Sequence, residues 1–459
     1  MIRLIRLTAV TAAAALLFAG VQHPAAGSAT AAATISPLDE TEIQFSYDKL
    51  RSDFYKKTDP QAIVNGARSE LAHELQGAGV KGSLPPIFAT DSVTSTAQAV
   101  GHEVDVAARM AHGKISAHLL AYAAISGMLN SVHDRYTVFL SPKEYAALNQ
   151  GLDGGSFAGT GIVIQLDDQT KYIDVSNVVP DGPADKAGIQ QDDVILAIDG
   201  VSTKGLSLQQ ASQRLRGKAG TQVQLTIERE GKTLSAPIAI TRAEIHQLSV
   251  YAKMLPGKIG YVDLTVFGRD TGDELTRALD RLQQQGARAI VMDLRDNGGG
   301  YLEAALDVSS KFIASGPIVS VESRASNVTT YEAENTAIPP LPLAVLVNGH
   351  TASASEITSG AIQDSGVGTI IGTRTFGKGV VQEILPLPDG SAIKITDARY
   401  LTPHNRDINH LGITPDIVVD STKGDRLGDL ARDAQLARAV QYLNDKIAHT
   451  GAGSTGTTQ

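Results

Sequence analysis

Hydrophobic spacing changes several times along the chain, and each change marks a different kind of element. Between residues 35 and 150 apolar side chains recur at helical intervals. Ile43, Tyr47 and Leu50 fall on one face, and residues 117–129 form a second apolar helical run. From Gly151 the spacing shortens. Glycines cluster at 154, 155, 159 and 161, and short β-branched runs alternate with turns. Residues 161–165, 173–179, 194–198 and 223–227 read as strands and 207–216 as a short helix, a β-rich unit that ends near Ala243. From 244 to 420 strands alternate with helices. Strands are predicted at 259–266, 289–294, 318–322 and 343–347, and helices at 272–285, 302–314 and 353–363. Such alternation signals an α/β layer. A last amphipathic helix is predicted over 425–447, before a Gly/Ser/Thr tail expected to be disordered.

Composition narrows the function. Hydrophobic residues make up 42% of the 459 and charged residues 19%, which suits packed domains. The net charge of −9 argues against a nucleic-acid partner, which would need a basic face. At the N-terminus Arg3 and Arg6 precede an apolar run over 7–20, and small residues follow, with candidate cleavage sites at 29–33. The run is too short for the ~20 residues that span a bilayer, so it reads as an export signal over 1–33. The chain has no cysteine, so the exported protein is expected to fold without disulfides. No His pair or carboxylate cluster with metal-ligand spacing stands out, and no metal or other cofactor is expected.

Residues 372–378 carry Gly372, Gly377 and Lys378 at the spacing of a phosphate-binding loop. Gly379 stands where that loop needs a Ser or Thr. Residues 380–385 then read as a strand running into a turn, not the helix whose N-terminus would face a phosphate. No nucleotide is expected, and Lys378 needs another role.

Residues 347–357 offer one. A buried strand ends, Gly349 follows, and a helix begins among small residues. A serine at such a junction meets free backbone N–H groups and a favourable helix dipole. An ordinary helix N-cap would call for the same residue. Residues 293–300 are a second strand end, with three glycines that let backbone approach a ligand closely. Of the candidate bases for Ser353, His350 is near in sequence but lacks an evident carboxylate behind it. Lys378 lies one helix and one strand further on, so a βαβ arrangement could bring it to the serine, and Ser-Lys pairs are a variant of triad logic. Apolar burial among Phe376, Val380 and Val381 would lower its pKa, and the Gln382 carbonyl could hold its amine without adding charge.

Four segments together resemble the carboxy-terminal processing peptidases, or tail-specific proteases. They are Thr351-Ala-Ser-Ala-Ser-Glu356, Phe376-Gly-Lys-Gly-Val-Val-Gln382, Asp293-Leu-Arg-Asp-Asn-Gly-Gly299 and Thr414-Pro-Asp416. The family usually has Ser where this chain has Thr351. The resemblance implies Ser353 as nucleophile, Lys378 as general base and Gln382 as the residue that positions it. It places the oxyanion donors on Ala354 and on Gly298 or Gly299. It implies a multidomain α+β protein: an N-terminal helical region over 35–150, a PDZ domain over 151–243, a crotonase/ClpP-like peptidase core over 244–422, a C-terminal helix over 423–448 and a disordered tail over 449–459. Gly159, Thr160, Gly161 and Ile162 look like the PDZ carboxylate-binding loop, and residues 182–188 and 194–200 like its later signature. The expected partners are free, apolar C-terminal tails of exported proteins, in the periplasm, cell envelope or outside the cell, with a homo-oligomer or an adaptor protein left open. The alternative is a catalytically inactive PDZ scaffold, against which an intact Ser353, Lys378 and Gln382 argue.

Overall fold

The computed structural model describes residues 6–7, 34–153, 156–167, 170–179, 182–246, 248–324, 327–422, 425 and 427–452. Four helices, Pro37–Asp53, Pro60–Gly77, Val93–Ala111 and Ala117–Asn130, close around Tyr47, Leu71, Leu120 and Met128. Each starts after a residue whose side-chain oxygen accepts a first-turn N–H: Ser36, Asp59, Ser92 and Ser116. The second and fourth helices cross at glycines. A Cβ on Gly66 would lie 2.3 Å from the Gly127 carbonyl oxygen, and one on Gly127 as close to that of Gly66. This block is fused to the rest of the protein. Its core takes in Leu387, Ile393 and Ile395 from the peptidase, and its strand Val138–Leu140 pairs with Ala392–Leu401.

The PDZ unit hangs on a two-stranded neck, where Ser156–Gly159 pairs antiparallel with Ala243–His246. Beyond it, the strands Ile162–Leu166, Ile173–Val178, Val194–Ile198 and Gln222–Arg229 and the helix Leu208–Leu215 surround Ile173, Val175, Ile195 and Leu225.

The peptidase core has two sheets. In the first, the strands Ile259–Leu264, Ala289–Asp293, Leu343–Val347, Thr369–Gly372 and Ile417–Val418 run parallel, with Val250–Leu255 antiparallel at one edge. Both faces are covered, so these strands are mainly apolar. Val262, Ile290, Met292 and Val345 face the helices Thr271–Gln284, Leu302–Ser310 and Ala354–Ser365. The alternate residues Tyr261, Val291, Ala344 and Leu346 face the C-terminal helix Ala434–Ala452. The second sheet is antiparallel, built on Val380–Pro386, Ala392–Leu401 and Pro317–Ser323. Arg6–Leu7 pairs with the outer side of Val380–Pro386.

Some elements differ from expectation. The last helix starts at Ala434 rather than 425, because Gly428 holds a positive φ of 77° and the Asp433 carboxylate caps the helix at the Leu436 N–H. It runs through Ala452, into the stretch expected to be a disordered tail, and 453–459 lie outside the described residues. So does the expected export signal, apart from Arg6 and Leu7. The helix from Leu302 stops at Ser310, and its chain closes in a turn where Phe312 and Ile313 donate to the Ser309 carbonyl.

Candidate active site

Two strand ends of the parallel sheet meet at the site. After Leu343–Val347 the chain turns through Asn348–Ala352 into the helix Ala354–Ser365. The Thr351 hydroxyl donates to the Leu294 carbonyl at 2.8 Å, which fastens this turn to the neighbouring strand end. Ser353 sits at φ 60° and ψ −119°, a strained backbone for a residue with a Cβ. It is fully buried, and its hydroxyl makes no hydrogen bond. Ser355, two residues on, donates its hydroxyl to the Asn297 carbonyl at 3.0 Å. One serine is tied into the frame and the other is not.

The second strand end supplies the loop from Asp293 to Gly300. Asn297 is its keystone. It is fully buried, its Nδ2 donates to the Leu264 carbonyl at 2.5 Å, and its own carbonyl accepts from the Ala352 N–H at 3.0 Å. Its Oδ1 accepts from the Gly299 N–H at 2.9 Å. The N–H of Gly299 is therefore in use, whereas among the described residues those of Gly298 and Ala354 meet no acceptor. Gly299 also lies directly against the backbone around Ser353. A Cβ there would come within 2.8 Å of Ala352 O, Ala354 N and Ser353 Cβ.

Glu356 draws Ser353 and Lys378 together. One carboxylate oxygen accepts from the Ser353 N–H at 3.0 Å and from the Lys378 N–H at 2.8 Å. The other accepts from Gly377 N–H at 2.8 Å and from the Thr375 hydroxyl at 2.5 Å. Burial pushes its pKa up, and those four donors oppose the shift. Tyr400 adds a second tie. Its hydroxyl donates to the Lys378 carbonyl at 2.5 Å and lies 3.2 Å from that of Ser353. Burial raises the Tyr400 pKa well above the ordinary value, which keeps this hydroxyl a donor.

Lys378 is fully buried, with Nζ 4.8 Å from the centre of the Tyr136 ring. Its pKa lies well below the ordinary lysine range. Burial is the main cause, the charge of Lys394 adds to it, and Glu356 and Asp134 oppose it. A strand follows at Val380–Pro386, not a helix. Gln382 is also fully buried. Its Nε2 donates to the Thr396 hydroxyl at 3.4 Å, and its Oε1 has no hydrogen-bond partner. Neither Ser353 Oγ nor Gln382 Oε1 receives a hydrogen bond in this structure. His350 faces solvent, with its Nδ1 2.8 Å from Asp296 Oδ1. No group of three His, Asp or Glu among the described residues could hold a metal ion, and no helix among them is long and apolar enough to cross a membrane.

In the PDZ unit Gly161 takes φ 77°. The Thr160 and Gly161 carbonyls accept from Ala184 N–H at 2.9 Å and Val179 N–H at 2.8 Å. Beside this loop lies a cavity of about 200 Å³ lined by Ile162, Ile164, Val179 and Leu215. Tyr251, from the first strand of the peptidase core, supplies part of its wall.

A buried serine with an unbonded hydroxyl and a buried lysine of lowered pKa, both tied by their backbone N–H groups to Glu356 next to a glycine loop, are groups that serine-peptidase chemistry can use. The family assignment agrees. Residues 258–419 match peptidase family S41, and residues 175–229 match a PDZ domain. The chain is 39% identical over 302 residues to a carboxyl-terminal-processing protease of Picosynechococcus, covering 65% of this chain and 73% of that one. It is 38% identical over 315 residues to the chloroplastic C-terminal processing peptidase of Tetradesmus obliquus, covering 65% and 68%. Among solved structures it is similar to a photosystem II D1 C-terminal processing protease, 30% identical with a TM-score of 0.46 over 84% of this chain and 94% of that one. The chain belongs to peptidase family S41, and it is a serine endopeptidase of the carboxyl-terminal-processing type.

Sequence reasoning quoted Glu356 only as part of a motif and assigned no role to Asn297, Tyr400, Asp134 or Tyr136. A Glu three residues after a Ser reads locally as half of a capping box. Only the fold reveals that its carboxylate serves the lysine segment as well.

Proposed function

We propose that this peptidase is exported, captures free apolar C-terminal tails on its PDZ loop, and cuts upstream with Ser353 and Lys378. The observation that carries the reading is the contrast between the two serines: Ser353 keeps an unbonded hydroxyl at a helix N-terminus, while that of Ser355 is spent on Asn297. Neutral Lys378 takes the Ser353 proton as Oγ attacks the scissile carbonyl. The oxyanion that forms accepts hydrogen bonds from the Ala354 N–H and the Gly298 N–H, Gly299 being committed to Asn297. The lysine then hands its proton to the departing amine, and water releases the acyl group by the same route in reverse. The Gln382 carbonyl holds the amine in line. In the PDZ unit the N–H groups of the Gly159–Ile162 loop hold the tail carboxylate, and the apolar cavity takes its last side chain.

The test is peptide hydrolysis by three variants. Ser353→Ala should be folded and inactive, and Ser355→Ala should keep substantial activity. Lys378→Arg should be inactive, because a guanidinium does not give up its proton near neutral pH. Turnover by a folded Ser353→Ala protein would overturn the assignment.

A further inference from the structure

Gln382 is an amide, and an amide can turn either its carbonyl or its NH2 towards the lysine. Only the carbonyl can accept a hydrogen bond from an amine. The reading of Gln382 above therefore requires that something fix the rotation of its side chain, and the surrounding donors and acceptors show what does.

Thr396 stands beside Gln382 on the neighbouring strand, directly opposite it in register. Its hydroxyl has one proton, which it donates to Asp134 Oδ2 at 2.5 Å. The same carboxylate oxygen accepts from the Thr137 hydroxyl at 2.7 Å, and the Thr137 oxygen in turn accepts the Thr396 N–H at 3.1 Å. Thr396, Thr137 and Gln382 are all fully buried, so no solvent competes for these groups. A carboxylate has only acceptors to offer. Asp134 therefore consumes the Thr396 proton and leaves that hydroxyl able only to accept. What Thr396 accepts is the Gln382 Nε2–H, at 3.4 Å. With the NH2 end fixed on this side, Oε1 is left at the other end of the amide, buried and without a partner. It is the group Gln382 has to offer Lys378, four residues back along the same segment. An orphaned buried carbonyl is costly, and a site that keeps one holds an acceptor ready for a donor.

We propose that Asp134 and Thr396 are positioning residues of the peptidase, a relay of hydrogen-bond direction that locks Gln382 with its carbonyl facing the catalytic lysine. The relay reaches the site from outside the core. Asp134 belongs to the segment that leaves the fourth helix of the N-terminal block, and Tyr136, two residues on, packs over the Lys378 amine. The backbone of Thr396 is also held by that block, through the Tyr55 N–H at 2.9 Å. The helical block thus takes part in setting the base. This inference rests on the assignment of Gln382 as the residue that holds Lys378.

The test compares kcat and KM of Asp134→Asn, Thr396→Val, Thr396→Ser, Gln382→Ala and the double variant Thr396→Val/Gln382→Ala, on one free-acid peptide. Melting temperatures identify any variant that fails to fold, and the near-isosteric Asp134→Asn keeps the test open if Thr396→Val does fail. Thr396→Val and Asp134→Asn should each lower kcat roughly tenfold with KM within about twofold, the scale of one misdirected hydrogen bond. Thr396→Ser, which keeps the hydroxyl, should restore it. In the Gln382→Ala background Thr396→Val should cost nothing further, since no amide remains to be turned. Full kcat in both Thr396→Val and Asp134→Asn, beside an impaired Gln382→Ala, overturns the relay and leaves the role of Gln382 standing. An equal loss from Thr396→Val with and without Gln382 also overturns it, because that is a structural effect. A fully active Gln382→Ala overturns the role of Gln382 itself, and the relay with it.

Discussion

The two glycine loops proposed above to hold the oxyanion and the tail carboxylate are held very differently. The loop from Asp293 to Gly300 is pinned at every step. Arg295 reaches Asp293 and Asp433 at 2.6 Å each, which fixes the start of the loop to the C-terminal helix region. Asn297 then clamps it to Leu264, Ala352 and Ser355, and Phe267 N–H donates to the Gly299 carbonyl at 3.0 Å. The PDZ loop, by contrast, is held at Thr160 and Gly161 by two backbone bonds. Its Gly161 has room around it, for a Cβ would meet only Ile245 Cδ1 at 3.4 Å and atoms further off. A loop that stabilises a fleeting oxyanion gains from donors already in place, because reorganisation at the moment of reaction would raise the barrier. A loop that captures a stable carboxylate can tighten as the ligand arrives, at a cost only in affinity.

The sharpest way to break that contrast is to put the same methyl group on each loop. Gly299→Ala drives a Cβ to 2.8 Å from Ala354 N at a φ of 99°, so either Ser353 or the loop must shift. The expected result is a loss in kcat of roughly a thousandfold or more, at or above the scale of one lost oxyanion donor, with the fold intact by circular dichroism. A kcat within about threefold of the parent would mean that the loop is not as rigid as its bonds imply.

Next in size is the lysine whose pKa burial in the rigid site lowers. Its pKa is depressed in the folded state, so the unfolded chain binds more protons and stability rises with pH through the window between the depressed value and the ordinary 10.5. Lys378→Met keeps the volume and removes that penalty. The variant should be inactive and should melt higher than the parent at neutral pH, and the gain should shrink to nothing as the pH climbs past the ordinary lysine range. A lower melting temperature at pH 7 would show that the lysine is not buried at a net cost.

How much of this was legible in the sequence follows the same division. The strand ends, the small residues around Ser353 and the apolar neighbours of Lys378 are local patterns, and the parallel strands announce themselves by being apolar on both faces. What stays hidden depends on contacts across the chain. Alternation did not single out the ten-residue strand Ala392–Leu401, yet it carries Thr396 and Tyr400. Gly298 and Gly299 are indistinguishable in a run of three glycines. They part only when the Asn297 amide folds back onto the second of them. The start of the C-terminal helix was misplaced because its amphipathic spacing extends through Gly428 into a capped turn.

The PDZ side of the comparison is tested first through the ligand. A peptide with a small apolar tail, offered as the free acid and as the amide, should differ roughly tenfold or more in kcat/KM, from the loss of ~1.5–3 kcal/mol of charge-assisted hydrogen bonding. Equal cleavage of the two would leave a serine peptidase whose PDZ loop does not read the terminus.

The smallest effect expected is that of Gly161→Ala. At φ 77° the new residue is strained by ~1–2 kcal/mol, but the surrounding side chains of Ile245, Val179 and Pro183 leave the methyl group ordinary van der Waals room. Among the described residues Thr160 and Gly161 are held by two backbone bonds, so the loop can relax between its paired ends, and relaxation moves its N–H groups away from a common point. KM for the free-acid peptide should therefore rise by roughly threefold, the change in affinity of ~0.7 kcal/mol, while kcat stays within error. The amide should be cleaved as before, since it makes no use of the carboxylate contact. That pattern separates the loops by the kinetic constant each controls, kcat for Gly299 and KM for Gly161. If Gly161→Ala lowers kcat instead, or slows the amide as much as the acid, the loop acts on the active site itself and its role as a tail-capturing surface fails.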